Sequence, residues 1–305
     1  MSRTWGLEES LAYTRWIATG HYENFHVVSF LLPKELHQDF YNVYAFCRWA
    51  DDLGDEIGDT QESLRLLAWW RDCLLSHEEP RHPVFVALRP TIAARKLSID
   101  HFDNLIKAFE QDQRKTRYAN WEELLDYCVY SANPVGRLVL ELCGYHDVAR
   151  ALLSDYTCTG LQLANFWQDV RVDLEKERIY LPLDLLARHQ VPEADVVARK
   201  HSPEFAAAMK EAVSYARELF HRGLALIPTL DPRLALDIEL FSRGGLKILE
   251  KIEEMDYRVL DRRPKIGKVE RVWLLFQVLG AWSKKRIAGQ YNQPLRSNHD
   301  HASRS

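Results

Sequence analysis

The chain of 305 residues has few cysteines, little net charge and no long apolar run. Its five cysteines are scattered, odd in number and never in a CxxC pair, which argues against a disulfide framework or a zinc site. The formal net charge of −4 and the lack of a basic stretch with interleaved aromatics argue against nucleic acid as a partner. The longest nearly apolar run, Val272 to Trp282, is interrupted by Gln277 and is too short to span a bilayer.

Export signals, repeats and flexible linkers are also missing from the sequence. The first ten residues, MSRTWGLEES, are polar and acidic, so we expect no signal peptide. Proline and glycine never cluster enough to mark a domain boundary. We therefore predict one domain over residues 1–293, followed by a disordered polar tail over 294–305. We expect a cytoplasmic protein, with contact to the surface of the inner membrane left open.

The sequence does contain a helical pattern. Apolar residues recur mostly at spacings of three and four, alternating patterns are scarce, and 47% of the residues are hydrophobic. This spacing puts apolar side chains on one face of each helix, so we predict an all-α fold with a sizeable core. The predicted helices cover residues 7–19, 35–57, 60–77, 83–95, 99–112, 121–143, 146–180, 193–199, 203–227, 231–256 and 268–290.

The first informative stretch is YAFCRWADDLGDE, residues 44–56. Asp51 and Asp55 are four residues apart, so they share one face of a helix. Like charges at that spacing destabilise a helix unless a cation offsets them, and carboxylate oxygens are ligands that suit Mg²⁺. The alternative is a solvated acidic face, but the bulky neighbours Phe46 and Trp49 favour a core helix.

The second informative stretch is GLQLANFWQDVRVDLEKERIYLP, residues 160–182. Its polar residues Gln162, Asn165, Asp169 and Asp173 step by three, four and four, and they form one stripe on an otherwise apolar helix. Amide groups leading into two carboxylates in an apolar setting indicate a site. A buried polar seam between helices is the alternative interpretation.

The two aspartate pairs together are more informative than either alone. If they face each other across a cavity, their carboxylates repel unless cations and a polyanion lie between them. Mg²⁺ bridging a diphosphate meets that need, and arginines such as Arg48 and Arg178 complete the charge balance. The sequence therefore predicts a metal-dependent diphosphate site.

At these residues the sequence resembles the squalene/phytoene synthase family over roughly residues 20–265. The resemblance is carried by LLP at 31–33, YAFCRWADDLGD at 44–55, YCVYSANPVG at 127–136 and LQLANFWQDVRVDLEKERIYLP at 161–182. It implies a single-domain isoprenoid synthase fold with a central cavity between helices, and a prenyl diphosphate as the substrate.

The resemblance also implies roles for individual residues. It assigns Mg²⁺, with Mn²⁺ as an alternative ion, to five aspartates: Asp51, Asp52, Asp55, Asp169 and Asp173. It assigns the substrate and its diphosphate to a polar set: Tyr44, Arg48, Gln162, Asn165, Arg178, Tyr180 and Tyr127. Tyr130 matches a tyrosine implicated in ionisation and rearrangement, although Tyr127 and Tyr130 are equally consistent with packing aromatics on a helix.

One element departs from the family's usual pattern. Where many members carry His-Ser-x-Ser-Phe, this chain has HYENF at residues 21–25. With SANPVGR at 131–137 and FSRGGL at 241–246, this element resembles the bacterial hydroxysqualene synthase branch, which feeds squalene and hopanoid synthesis. The implied reaction converts presqualene diphosphate and water to hydroxysqualene and diphosphate, with no NADPH.

Other functions stay open at this point. The nearest alternative is a head-to-head synthase that makes presqualene diphosphate, squalene or phytoene. A non-catalytic relative that acts in binding or assembly is less favoured, because both aspartate pairs are complete. Contact with neighbouring enzymes of the pathway is a further open expectation.

A proline inside a predicted helix gives a hypothesis about the reacting water. Pro134 has no N–H to donate to the carbonyl of Tyr130, four residues earlier. That carbonyl and Asn133 are therefore candidates to hold the water that captures the cation. An ordinary structural kink or helix break is the alternative.

Overall fold

The computed structural model describes residues 5–20, 33–267 and 270 of the chain. Within these ranges the fold is all-α and single-domain, as predicted, and contains no strand. Apart from Glu270, the predicted helix over 268–290 lies outside the described residues, as do residues 21–32 with HYENF and the tail over 294–305. The helices are α1 Leu7–Gly20, α2 His37–Asp55, α3 Thr60–Leu75, α4 Pro83–Arg95, α5 Ile99–Asp112, α6 Trp121–Ser131, α7 Asn133–Leu142, α8 Val148–Asp173, α9 Leu183–Arg188, α10 Glu193–Val197, α11 Pro203–Gly223 and α12 Pro232–Glu254. Short 3-10 helices cover Lys34–Leu36, Leu174–Lys176 and Leu224–Thr229.

The single helix predicted over 121–143 is wrong, because the chain breaks at Ala132. Helix α6 ends at Ser131, and α7 begins at Asn133 with Pro134 in its first turn. The N–H of Ala132 still bonds the carbonyl of Cys128 and closes α6. Pro134 has no N–H with which to continue α6, but its fixed φ suits the start of a new helix.

The helix predicted over 146–180 is also shorter than expected. Helix α8 ends at Asp173, a 3-10 turn follows, and Glu177 then adopts a left-handed conformation with φ of 56°. After this turn the chain is extended, and Ile179 forms an isolated bridge with Arg117. The turn reverses the chain and brings Lys176 and Arg178 back towards the acidic helices. The sequence also gave no sign of the short helix α9.

Two hydrophobic clusters make up the core. The first fills the space among α2, α3, α4 and α5, where the ring of Phe46 contacts Trp70, Phe85 and Phe102 at centroid distances of 5.0–5.9 Å. The second lies around α8, α11 and α12 and includes the fully buried Trp167. Residues of both clusters meet at the central cavity described below.

A buried polar network fixes the position of α2. Asn42 accepts a hydrogen bond from Thr14 of α1 at 2.6 Å and donates to Thr91 of α4 at 3.0 Å. Asp39 accepts from Thr91 at 2.8 Å and pairs with Arg95 at 2.7 Å. Because buried polar groups favour the one packing that satisfies them, this network sets where the first aspartate pair lies. Among the helices described, none is long and apolar enough to cross a membrane.

Candidate active site

Both aspartate pairs lie at the C-terminal ends of long helices. Asp51 and Asp55 occupy the last turns of α2, and Asp169 and Asp173 occupy the last turns of α8. The C-terminus of a helix carries negative potential, so carboxylates there are unfavourable without a nearby cation. This placement favours binding of cations at both pairs.

Lysine and arginine side chains connect the two helix ends. Lys176 Nζ lies 2.8 Å from Asp55 Oδ2, and Arg178 Nη2 lies 3.8 Å from Asp55 Oδ1. Both cations also favour the ionised form of Asp173, although burial raises its pKa overall. The turn after α8 therefore brings two positive charges between the aspartate pairs, as expected for Arg178 and not foreseen for Lys176.

Ionisation of Asp173 is unfavourable in its surroundings. Burial and the neighbouring Asp169 raise the pKa of Asp173 to about 7, although Arg178 and Lys176 act in the opposite direction. Burial also raises the pKa of Asp51, against the effect of Arg48. Carboxyl groups whose charge is this costly bind a divalent cation favourably, because the cation restores the ionised form.

Arginine side chains cover the outer carboxylates. Arg48 lies 3.1 Å from Asp51 Oδ2 and 2.5 Å from Asp52 Oδ1. Arg263 forms a two-bond pair with Asp169, with Nη2 at 3.0 Å from Oδ2. Gln168 holds the segment that carries Arg263, because its amide donates to the carbonyl of Pro264 at 2.8 Å.

A central cavity of about 220 Å³ lies beside these charges. Its wall is mostly polar, with three apolar side chains among the lining residues. The lining residues are Asp51, Asp55, Asp112, Tyr127, Ser131, Gln162 and Arg178, with Leu105, Ala108 and Phe109. The structure thus brings five of the residues predicted from the sequence to one cavity: Asp51, Asp55, Gln162, Arg178 and Tyr127.

Asp112, at the C-terminus of α5, joins several of these groups. Its Oδ2 accepts a hydrogen bond from the Tyr127 hydroxyl at 2.8 Å, and its backbone carbonyl accepts from Arg178 Nη2 at 3.3 Å. Burial raises the pKa of Asp112 to about 6, and Arg178 opposes that rise. Burial also raises the pKa of Tyr127 well above its usual value, so the phenol stays a hydrogen-bond donor.

Aromatic rings pack behind the cations. Tyr180 is buried and stacks on Phe166 with ring centroids 3.7 Å apart and an angle of 7° between the planes. Its ring also lies 6.1 Å from that of Tyr127. Tyr180 therefore packs behind Tyr127, which lines the cavity.

The other predicted residues, among them Asp169 and Asp173, are not among the residues that line the described cavity. Tyr44 is half-buried against the first core cluster, and Asn165 is exposed on α8. Tyr130 packs against the second core cluster, and Tyr127, not Tyr130, is the tyrosine on the described cavity wall. The carboxamide of Asn133 is buried and accepts a hydrogen bond from Thr159 at 2.9 Å, so part of its capacity is used within the protein.

The residues fit a Mg²⁺ that is shared with a phosphate, rather than a closed metal cage. Across the described ranges, no group of three or more His, Cys, Asp or Glu side chains is close enough to hold a metal ion. Each aspartate pair supplies two carboxylates, and Mg²⁺ is commonly held by one or two carboxylates together with waters and substrate phosphates. Lys176 pairs with Asp55, and Arg263 pairs with Asp169. A metal ion bound to these carboxylates would have to displace both pairs.

Three charged residues of the site were not predicted: Asp112, Lys176 and Arg263. Lys176 lies within the second acidic stretch, in the run of alternating acidic and basic residues that follows Asp173. Such mixing is typical of a solvated helix face. Asp112 lies in a mixed polar run with Glu110 and Arg114, and Arg263 sits in a basic segment 94 residues after Asp169. Nothing local in the sequence separates these side chains from ordinary surface charges.

An all-α fold in which two aspartate-bearing helix ends meet over cationic side chains defines an isoprenoid synthase. The sequence pattern of the family described as squalene/phytoene synthase matches residues 18–270. The chain therefore belongs to the squalene/phytoene synthase family, and the resemblance read from its motifs is confirmed.

Individual relatives agree with this assignment. The hydroxysqualene synthase of Zymomonas mobilis is 33% identical over 83% of this chain and 86% of its own length. The phytoene synthase of Thermus thermophilus is 31% identical over 85% and 89% of the two chains. A crystal structure of squalene synthase HpnC from Alicyclobacillus acidocaldarius is 41% identical with a TM-score of 0.77, and it covers 82% of this chain and 95% of its own. A dehydrosqualene synthase structure, 23% identical with a TM-score of 0.81 over 91% and 98% of the chains, shares the fold.

Proposed function

We propose that this protein catalyses the Mg²⁺-dependent conversion of presqualene diphosphate and water to hydroxysqualene and diphosphate. The observation that carries the proposal is the cavity wall, where Asp51, Asp55 and Arg178 adjoin an apolar surface. Such a wall suits a substrate with a diphosphate at one end and a hydrocarbon at the other. Relatives called hydroxysqualene synthase support this product, and a phytoene synthase of similar identity keeps a head-to-head prenyl coupling as the second candidate.

The chain's own residues account for the departure of diphosphate. Lys176 and Arg178 donate hydrogen bonds and positive charge to the leaving group, which carries growing negative charge in the transition state. The two aspartate pairs would hold Mg²⁺, which when bound would supply Lewis-acid neutralisation of the leaving group. Gln162, on the cavity wall, orients the diphosphate through its amide.

The carbocation that remains needs shielding until it has rearranged. The rings of Tyr127, Phe166 and Tyr180 lie within 6.1 Å of one another, and Tyr127 is the one that lines the cavity. An aromatic face stabilises a nearby cation by roughly 0.5–2 kcal/mol. Leu105, Ala108 and Phe109 add apolar side chains to the cavity wall, and such groups reduce contact of a cation with water.

The size of the cavity limits what it holds. At about 220 Å³ it is smaller than the roughly 300–1,000 Å³ of ordinary ligand pockets. It therefore accommodates the diphosphate end and the reacting carbons, and the rest of the hydrocarbon extends beyond it.

Product analysis tests the proposal. Purified protein is incubated with presqualene diphosphate and Mg²⁺, with and without NADPH, and separately with farnesyl diphosphate. Hydroxysqualene from presqualene diphosphate in both conditions is the expected result. Squalene that forms only with NADPH, or phytoene from geranylgeranyl diphosphate in a parallel reaction, would replace this proposal with the second candidate.

A pair of variants links the product to the site. Asp55→Asn removes one charge that Lys176 and Arg178 now contact, and we expect it to abolish diphosphate release. Asp126→Asn makes the same chemical change on the exposed face of α6, away from the cavity, and should leave turnover unchanged. Equal activity of the two variants would show that the reaction takes place elsewhere.

A further inference from the structure

Two buried polar atoms on the cavity wall have no hydrogen-bond partner among the described residues. They are Asp112 Oδ1 and Ser131 Oγ, and both residues line the cavity. Buried polar groups are nearly always hydrogen-bonded, because leaving one unsatisfied is costly. Two such atoms beside a cavity of about 220 Å³ indicate a binding site for a small polar molecule.

The surroundings of Asp112 fix its carboxylate and leave one oxygen available. Tyr127 donates to Oδ2 at 2.8 Å, and Arg178 holds the backbone carbonyl of the same residue. Oδ1 accepts no hydrogen bond from the described part of the chain. Water matches this arrangement, since it donates one hydrogen to Oδ1 and pairs with the hydroxyl of Ser131.

We propose that Asp112 and Ser131 bind the water that captures the carbocation, and that Asp112 accepts the proton of that water. This inference rests on the proposed function, because only a reaction that ends in an alcohol needs such a water. Asp112 then acts as the general base and Ser131 as a positioning residue. The site replaces Asn133 as the candidate water ligand, because Thr159 already donates to the Asn133 carboxamide.

The step balances without any oxidant or reductant. The carbon–oxygen bond to diphosphate has already broken, and its electron pair has left with the diphosphate. A lone pair of the water oxygen forms the new carbon–oxygen bond with the cationic carbon. One O–H bond of that water breaks, its electrons stay on the alcohol oxygen, and the proton goes to Asp112 Oδ1 and later to solvent.

The acidity of Asp112 agrees with this role. Burial raises its pKa to about 6, so the carboxyl is mostly ionised at neutral pH yet more basic than an exposed aspartate. General bases work best when their pKa lies near the working pH. The position of Asp112 next to Arg178 also places the base close to where the diphosphate leaves.

The test compares two products of the same reaction in the variant Asp112→Asn. Diphosphate release and hydroxysqualene formation are measured separately with presqualene diphosphate and Mg²⁺. We expect diphosphate release to continue, while hydroxysqualene per diphosphate falls about tenfold or more, with eliminated or rearranged hydrocarbons in its place. Ser131→Ala should lower the same ratio by roughly three- to tenfold, as expected for loss of one hydrogen bond.

Matched controls carry the same chemical changes away from the cavity. Asp126→Asn and Ser214→Ala lie on exposed helix faces and should keep the wild-type ratio. An unchanged ratio in both Asp112→Asn and Ser131→Ala would overturn the inference, as would a parallel loss of diphosphate and alcohol in both. If Asp112→Asn does not fold, Ser131→Ala alone decides between these outcomes. A wild-type enzyme that makes no hydroxysqualene would instead refute the proposed function itself.

Discussion

Two adjacent glycines on α12 offer a quantitative test of how the helices pack. A Cβ atom at Gly245 would lie 2.2 Å from Cζ of Phe220 and 2.9 Å from a second ring carbon. A Cβ atom at Gly244 would have no described atom within 4 Å. Phe220 is fully buried on α11, so its ring has no open space into which it moves easily. Gly245→Ala and Gly244→Ala therefore make the same chemical change in opposite environments.

The magnitudes follow from two terms. Each replacement removes the backbone entropy penalty of glycine in a helix, which stabilises the folded state by about 0.5–1 kcal/mol. Gly245→Ala also overpacks the contact with Phe220, at a typical cost of about 1–3 kcal/mol. Because the helix term is common to both variants, their difference measures the overpacking. We expect Gly244→Ala to be about 1–3 kcal/mol more stable than Gly245→Ala.

Urea denaturation followed by far-ultraviolet circular dichroism measures this difference. The double variant Gly245→Ala with Phe220→Leu removes the ring atom nearest to the new methyl group. It should therefore recover part of the loss, a coupling that two independent sites would not show. If Gly245→Ala is as stable as Gly244→Ala, the close approach of α11 and α12 is incorrect.

Three further predictions concern charge. Burial raises the pKa of Asp237 to about 8. Between about pH 4 and 8 the folded state therefore keeps a proton that the unfolded state has lost. The free energy of unfolding then falls by about 1.4 kcal/mol for each pH unit of increase. Asp237→Asn should abolish that slope between urea titrations at about pH 5.5 and 7.5, and an unchanged slope would contradict the burial of this carboxyl. Arg178→Gln should lower kcat/KM for presqualene diphosphate by about a hundredfold. Arg65→Gln, which breaks an exposed pair with Glu62 on α3, should have little effect in the same assay. Mg²⁺ and diphosphate together should raise the melting temperature by more than the sum of their separate effects. The reason is that each aspartate pair alone supplies too few ligands for the ion. Additive shifts in melting temperature would argue against a shared site.

The two acidic helices show which features the residue spacing along the chain is enough to predict. Asp51 with Asp55, and Asp169 with Asp173, share a helix face because residues four apart in an α-helix always do. Apolar spacing likewise predicted most helix spans to within a few residues, and prolines marked many of their ends. These features depend on neighbours within one or two turns, so the sequence alone determines them.

The helix break at Ala132 shows where local reasoning was incomplete. The sequence showed a proline that cannot continue a helix, but a kink and a complete break were both compatible with it. The packing of α7 against α8 settles the matter, since a Cβ at Gly136 would lie 2.4 Å from Ser154 Oγ. The break turns α7 so that this close contact forms, and it leaves Ser131 on the cavity wall.

By itself, the sequence determined the helical fold, the two aspartate pairs and the family to which they belong. Only the tertiary structure decided which cationic side chains pair with those aspartates, and that Asp112 lies on the cavity wall with Asp51 and Asp55. Lys176 reaches Asp55 across 121 residues, and Tyr127 meets Asp112 only because α5 and α6 pack side by side. A hydrogen bond is set by distance in space, and a periodic pattern carries no information about distances between helices. For that reason the two aspartate pairs were predictable from sequence, whereas the positions of Asp112 and Ser131 on the cavity wall were found only in the folded chain.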